Sequence, residues 1–212
     1  MNIIYRELKV ADYPIVKNLI NKSFGLHRYV DSQSILESWL NVYLQSCLAE
    51  KTFDCVAEKD GKVIGIIMGQ AKSDYRFPVH LKPNLKMAYH SAVMILKSQL
   101  QKCDITANKR INQIYHELLT ECRQNFDGVL TLFAVTEDCR GLGVGKELLN
   151  RLLAYQKESN TKNIYLYTDS TCNYGFYESQ GFRRLGEKNM EIMRNHQQDT
   201  IEVYLYGYRL TE

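Results

Sequence analysis

Three glycines alternate with apolar residues in the segment Arg140-Gly-Leu-Gly-Val-Gly-Lys146, which follows an apolar run ending at Val135 and precedes a leucine-rich helical pattern. The first turn of a helix leaves backbone N–H groups without internal acceptors, and the aligned peptide dipoles place roughly half a positive charge there. Glycines would let an anion approach those N–H groups, and Arg140 and Lys146 would add formal charge. The segment therefore predicts a phosphate-binding turn; the alternative is a glycine-rich turn that only reverses the chain.

Two familiar nucleotide-binding motifs do not fit these glycines. A Walker A loop requires a glycine five residues before Gly145 and a Ser or Thr after the lysine, but Arg140 and Glu147 stand there. A dinucleotide-binding GxGxxG requires a glycine where Lys146 stands, and this turn comes too far after its strand. Neither motif is therefore assigned.

A second segment, residues 176–182, begins with Phe176-Tyr177 and, after three further residues, ends with Gly181-Phe182. Taken together and in this order, the two segments resemble motifs A and B of the GCN5-related N-acetyltransferases (GNAT family). The resemblance is most specific over residues 129–188, and the opening strand, helices and hairpin extend it over most of the chain. One departure is the sequence Thr136-Glu-Asp138, where the family usually has a proline in the bend.

The resemblance implies an N-acetyltransferase that uses acetyl-CoA as cosubstrate, needs no metal, and moves the acetyl group to a primary amine of a small molecule or peptide by direct attack in a ternary complex. The family holds the pyrophosphate on the glycine turn, which here comprises Arg140, Gly141, Leu142, Gly143, Val144, Gly145 and Lys146. Its pantetheine arm pairs with a strand that splays from its parallel neighbour, which implies main-chain contacts from Phe133, Ala134 and Val135, with the Val135 N–H at the thioester carbonyl. Asn173 is the preferred side chain for a further bond to pantetheine or phosphate, and Ser170 is the alternative.

Acetyl transfer also needs a proton donor for the departing thiolate and a neutral amine. A phenol can serve as the donor, since its pKa of about 10 lies near the thiol value of about 8.5. Tyr177 occupies the family's position for that acid; the alternative is a packing tyrosine beside Phe176. The apolar run 129–135 contains no carboxylate to act as base. Asp127 precedes this run, and Asp169 ends the next strand, where it is expected to cap the helix that follows. A base that acts through water, or no base at all, also stays open.

The elements that must position these residues follow from periodicity. Residues 2–10 predict a strand, Asp12 a helix cap, and the apolar stripe from Leu36 to Leu48 a helix. Asp60-Gly61, between two apolar runs, predicts a hairpin. The remainder predicts strand 129–135, helix 143–158, strand 163–168, short helix 172–180, and strands 182–188 and 200–209. This order predicts an α/β fold of the GNAT type in a single domain, residues 1–212, with a mixed sheet of about six to seven strands and helices on both faces.

Residues 75–127 stand outside the resemblance and predict a helical insertion with amphipathic helices at 84–103 and 109–124. In one interpretation these helices form a solvated hairpin that thickens the core. In another they form a lid over the acceptor site that selects the amine. Their apolar stripes could also supply a homodimer contact.

Composition bounds the remaining possibilities. The formal net charge of +3 and the lack of a basic run argue against a nucleic-acid partner. No apolar stretch approaches the ~20 residues of a membrane span and no signal peptide opens the chain, so a cytoplasmic protein without membrane contact is expected. The six cysteines include no CxxC pair, which favours reduced thiols over a zinc site. Two other functions stay open: a non-catalytic CoA-binding sensor or partner-binding domain, and an acyltransferase that uses another acyl-CoA.

Overall fold

The computed structural model describes residues 2–30, 32–101, 106–139, 141–194 and 197–210. The strands are β1 (Ile3–Arg6), β2 (Phe53–Lys59), β3 (Lys62–Ala71), β4 (Gly128–Val135), β5 (Asn163–Asp169), β6 (Arg183–Arg194) and β7 (Gln197–Arg209). The α-helices are α1 (Tyr13–Phe24), α2 (Gln33–Glu50), α3 (Phe77–Leu100), α4 (Thr106–Glu121), α5 (Val144–Glu158) and α6 (Tyr174–Ser179). The predicted order of elements is confirmed.

Several predicted boundaries are wrong. Helices α3 and α4 begin earlier than expected, at Phe77 and Thr106, and the ends of three strands also differ. The first strand ends at Arg6 because the Asp54 carboxylate takes the Leu8 N–H at 2.6 Å and the chain then turns into a short 3-10 helix, Val10–Asp12. The last two strands are longer than expected, since β6 and β7 continue to pair as far as Arg194 opposite Gln197. The Asp12 carboxylate bonds the Arg6 guanidinium and the Lys9 N–H and makes no cap to α1.

The strands form one mixed sheet in the order β1-β2-β3-β4-β5-β7-β6. Every neighbouring pair is antiparallel except β4 and β5, which are parallel and pair only at Gly128 with Ile164 and Val129 with Tyr165. Beyond these residues the two strands are no longer paired. On its other edge β4 stays paired with β3 as far as Val135, so the gap opens on one side of β4 alone.

Helices cover both faces of the sheet. Because neighbouring strand residues point to opposite faces, the clusters show which helix lies on which face. On β7, Tyr204 and Tyr206 belong to the cluster that contains the buried leucines of α5, whereas Val203 and Leu205 belong to the cluster around Ile114 of α4. Helices α1 and α2 pack on β3 and β4 with Ile66, Met68, Leu132 and Ala134.

Helices α3 and α4 lie between β3 and β4 in the chain and use different partners. Helix α3 packs on α2, whereas α4 packs on β6 and β7. The cysteines of the described residues are free thiols, with Cys47, Cys55 and Cys139 buried, and Cys103 lies outside the described residues. None of the described helices combines the length and the apolar character that crossing a membrane requires.

Candidate functional site

A cavity of about 1030 Å³ lies where β4 and β5 separate. Its wall includes residues 129–135 of β4 and, from β5, Tyr165, Tyr167, Thr168 and Asp169. The glycine turn and the start of α5 form another part, and α1, α2, α3, α4 and α6 also contribute residues. Motifs A and B of the sequence therefore line one continuous space.

The glycine turn presents an open helix N-terminus to this cavity. Gly141 and Gly143 are exposed and have φ of 79° and 77°, which favours glycine, and a Cβ added at either would meet nothing within 4 Å. Gly143 is the N-cap of α5, and the first backbone donor bonded to it is the N–H of Glu147. Among the described residues, the N–H groups of residues 143–146 have no backbone acceptor. These donors and the exposed ammonium of Lys146 form a site suited to an anion.

The other predicted residues of the turn have different surroundings. Gly145 is needed for packing, since a Cβ there would lie 3.3 Å from the Phe133 ring. Val144 is buried and lines the cavity. Leu142 is 47% exposed and is not among the cavity-lining residues. Arg140 lies outside the described residues.

The free edge of β4 offers main-chain hydrogen-bonding groups to the gap. The Thr136 N–H donates to the Ile64 carbonyl of β3, and successive N–H groups of a strand point to opposite sides. The N–H groups of Val135 and Phe133 therefore point away from β3, towards the gap, whereas that of Ala134 points to β3. All three residues line the cavity.

A β-bulge interrupts β4 beside the gap. Met68 and Gly69 of β3 oppose Leu132 and Leu130, so Thr131 is the extra residue of β4. The Thr131 carbonyl accepts a weak bond from the Cys47 thiol of α2 at 3.8 Å. The Thr131 hydroxyl oxygen is buried and has no hydrogen-bond partner in the part of the chain that the structure describes. The bulge thus brings α2 against β4 at the cavity wall.

Tyr177 of α6 lies in this wall with its ring fixed by aromatic neighbours. Ring centroids of Phe176, Phe182 and Phe133 lie 5.7, 5.8 and 6.2 Å away. Only 9% of the residue is exposed, and burial raises the pKa of its hydroxyl above the usual value of 10. Among the described residues the hydroxyl has no hydrogen-bond partner. It is a protonated donor facing a cavity.

The structure distinguishes the two side chains that were candidates for a bond to pantetheine or phosphate, Asn173 and Ser170. The exposed Asn173 precedes α6, lines the cavity and makes no capping bond. Ser170 is bonded to β7 instead, since its N–H donates to the Glu202 carbonyl at 2.8 Å and its hydroxyl accepts the Glu202 N–H at 3.1 Å. Asn173 is therefore the better placed of the two.

The carboxylates named from the sequence are engaged in turns. Asp127 accepts the N–H groups of Lys162 and Asn163 at 2.7 and 3.2 Å and does not line the cavity. Asp169 lines the cavity, but one of its oxygens accepts both the N–H and the hydroxyl of Thr171, at 2.7 and 2.6 Å. These bonds hold the turn that precedes α6, but the N-cap of α6 is Asn173, so the expectation that Asp169 caps this helix is wrong.

Sequence reasoning missed a third carboxylate, Glu50 at the end of α2. Its side chain lines the cavity and is accessible there, while protein atoms on the other sides raise its pKa above the usual 4.5 through burial. No described residue forms an ion pair or hydrogen bond with it. The signal was present in the sequence, because Glu50 continues the apolar stripe through Trp39, Tyr43 and Cys47 at helical spacing.

The cavity also contains a group of aromatic side chains, called here the aromatic chamber. It consists of Tyr29, Trp39, Tyr43, Tyr115, Tyr165 and Tyr167. Tyr115 and Tyr167 stack at 4.1 Å, and the Tyr167 hydroxyl donates to the Tyr115 carbonyl at 2.7 Å. Tyr43 is within electrostatic reach of Tyr115 and Tyr177, so the chamber adjoins the candidate acid.

Comparison with known proteins gives the class that this fold and site define. Residues 15–182 match the model of the Acetyltransferase (GNAT) family, and the chain belongs to that family. It is accordingly an acyltransferase with the GNAT fold. A comparison with curated protein sequences finds no match.

Solved structures with the same fold include three acetyltransferase-like proteins. An N-acetyltransferase from Staphylococcus aureus is 12% identical, with a TM-score of 0.53 and 100% of both chains covered. The yncA protein of Salmonella typhimurium, solved with its cofactor acetyl-CoA, is 13% identical, with a TM-score of 0.56 and 100% of this chain and 96% of that chain covered. A ribosomal-protein-alanine N-acetyltransferase from Brucella melitensis is 15% identical, with a TM-score of 0.53 and 98% and 99% covered. At these identities the likeness shows the fold alone.

Proposed function

We propose that the protein is an acetyl-CoA-dependent N-acetyltransferase that acetylates a primary amine by direct attack in a ternary complex. The observation that carries this proposal is the gap between β4 and β5 beside an open helix N-terminus. A gap of this kind lets an extended ligand pair with the free edge of β4 while its anionic end meets the start of α5. The family membership and the yncA structure with acetyl-CoA support the same cosubstrate.

The residues of the site fit the parts of acetyl-CoA. The N–H groups of residues 143–146 and the ammonium of Lys146 would hold the pyrophosphate. The main-chain groups of Phe133 and Val135 that face the gap would bond the pantetheine arm, and Asn173 is a further donor at the wall. Bound acetyl-CoA would supply an acetyl thioester and a thiolate leaving group.

The chain's own residues then have three tasks. One β4 N–H that faces the gap, which we assign to Val135, polarises the thioester carbonyl by donating a hydrogen bond. Tyr177 holds its proton at neutral pH, because burial raises the pKa of its hydroxyl, and donates it to the leaving sulfur. The neutral amine loses one proton to water as the amide forms, and Tyr177 takes up a proton from water after the thiol has left. The packed rings around Tyr177 hold its own ring in place in the cavity wall.

The experiment that tests this proposal measures acetyl-CoA binding by calorimetry and thiol release with amine acceptors. Lys146→Ala should weaken acetyl-CoA binding about 5- to 10-fold, because a cation at the helix N-terminus is lost. Lys157→Ala is the matched control, since Lys157 is an exposed lysine in the last turn of the same helix and should bind as the wild type does. No heat with acetyl-CoA would refute the proposal, and binding without thiol release on any amine would favour a sensor.

A further inference from the structure

The walls of the aromatic chamber consist of packed tyrosine and tryptophan rings. Tyr165 meets the Tyr167 ring edge-on at 5.5 Å, and Tyr29 meets Trp39 edge-on at 6.2 Å. The hydroxyl of Tyr167 is already used within the protein. Such walls offer ring faces and edges to a ligand and favour an apolar or aromatic body of matching size.

Among the described residues, more acidic than basic side chains line the cavity. Lysine occurs there once, as Lys146 on the glycine turn, whereas the carboxylates are Glu50 and Asp169. Asp169 has the Thr171 N–H and hydroxyl as partners, but Glu50 has no cation and no hydrogen-bond donor among the described residues. Glu50 is exposed, so water can solvate its carboxylate, and an ammonium group that enters the cavity would meet no competing cation at this carboxylate among the described residues.

Glu50 lies at the paired end of the gap, in the same cavity as Tyr177. Cys47, one helical turn before it, donates to the Thr131 carbonyl at the bulge of β4. Glu50 also acts electrostatically on Cys47 and on Tyr165 of β5. The end of α2 thus spans the narrow end of the gap, between β4 and the aromatic chamber.

We propose that the acceptor is a primary amine carried on an aromatic or bulky apolar body, with the body in the aromatic chamber and the ammonium bound by Glu50. One proton passes from the ammonium to water before the neutral nitrogen attacks the thioester. This inference rests on the proposed N-acetyltransferase function and names its substrate class. The tyrosine and tryptophan rings add cation–π attraction for the ammonium, and a short carbon chain between ring and nitrogen lets both ends be satisfied.

Other occupants fit the same walls less well. A long acyl chain would leave the Glu50 carboxylate against hydrocarbon without a partner. A polyamine would place further ammonium groups against the apolar walls, where the described residues offer no other unengaged carboxylate. A peptide N-terminus would bring backbone polar groups into a chamber whose residues are mostly rings.

The insertion helps to decide this specificity. Met87 and Ser91 of α3 and Ile111 and Asn112 of α4 line the cavity, so both inserted helices supply part of its wall. The two helices pack on different elements, α3 on α2 and α4 on β6 and β7. The two helices therefore act in this proposal as walls of the acceptor site, in keeping with the lid interpretation of residues 75–127.

The test measures amine binding directly, by calorimetry on the full chain with and without CoA. Phenethylamine is the probe and propylamine, which lacks the ring, is its comparison. Burial of a ring should make phenethylamine bind about 10- to 100-fold more tightly to the wild type than propylamine does. Glu50→Gln should weaken phenethylamine binding about 10-fold or more, because the carboxylate charge is lost. Glu158→Gln, at an exposed glutamate at the end of α5, is the matched control and should leave binding unchanged.

The outcomes separate this inference from the proposed function. Equal binding of both amines, or unchanged binding in Glu50→Gln, overturns the inference even if acetyl-CoA binds and another amine is acetylated. Faster thiol release from octanoyl-CoA than from acetyl-CoA overturns it as well, because the chamber would then hold the acyl chain. Preferred acetylation of a polyamine or peptide overturns it while leaving N-acetyl transfer in place. Absence of acetyl-CoA binding refutes the proposed function instead, since the amine measurement without CoA is independent of it.

Discussion

Replacement of Tyr177 by phenylalanine removes one oxygen atom from the candidate site and leaves the ring. The ring contacts with Phe133, Phe176 and Phe182 are kept, and the lost hydroxyl has no partner among the described residues. The free energy of unfolding should therefore change by less than about 0.5 kcal/mol. Acetyl-CoA affinity should also stay close to that of the wild type.

The rate of acetyl transfer should fall steeply in the same variant. Loss of a general acid typically costs about 10²- to 10³-fold in kcat, which corresponds to about 2.7–4 kcal/mol of activation free energy. In the wild type the raised pKa of Tyr177 keeps the phenol protonated through neutral and mildly alkaline pH. The rate should therefore show no alkaline decline due to this group below about pH 10.

The assay is steady-state thiol release with a saturating amine, together with calorimetry for acetyl-CoA and thermal unfolding. Tyr208→Phe is the matched control, because Tyr208 packs on Phe182 at 4.9 Å but does not line the cavity. It should keep the wild-type kcat. A Tyr177→Phe enzyme within about threefold of the wild-type kcat would show that the proton comes from elsewhere.

Two stability predictions concern residues away from the cavity. Asp12→Asn should lower the free energy of unfolding by about 1–2 kcal/mol at pH 7, because the Arg6 guanidinium loses one of its two carboxylate partners, at 2.7 and 2.9 Å, and keeps Glu58. Arg6 lowers the pKa of Asp12, so this stability is present above about pH 4 and is lost as the pH falls through the lowered pKa. Denaturant titrations should therefore show the stabilities of the variant and the wild type converging in acid. A difference in stability that does not change with pH would contradict this explanation. Gly69→Ala should cost about 1–3 kcal/mol, since its Cβ would lie 2.8 Å from the Val129 carbonyl oxygen, which belongs to a paired strand. Gly175→Ala meets nothing within 4 Å and should be neutral or slightly stabilising in the same denaturant assay, and equal losses at both glycines would refute the steric explanation.

Local patterns in the sequence were sufficient for most of the fold. The hairpin at Asp60-Gly61 follows from two residues that tolerate positive φ, and both have it, at 52° and 74°. The start of α5 follows from the glycines at 141 and 143, which adopt the left-handed conformation as separate residues. Each of these features depends on neighbours in the chain, so the sequence predicts it directly.

Features that depend on distant segments were predicted poorly or not at all. The ends of β6 and β7 depend on pairing with each other, and the first strand ends early because of Asp54, which lies 46 residues from Leu8. The different partners of α3 and α4 could not be read from two amphipathic stripes, because a stripe shows that a face is buried and not what covers it.

The sequence by itself was sufficient to identify the family motifs and the order of the elements, and to single out Tyr177 and the glycine turn as site candidates. Only the tertiary structure decided that β4 and β5 part after two paired residues, that Asn173 and not Ser170 lines the cavity, and that Glu50 lines the same cavity as the aromatic chamber. The physical reason is that helical and strand periodicities act over a few residues. A cavity, by contrast, exists only where elements far apart in the chain meet and leave space between them.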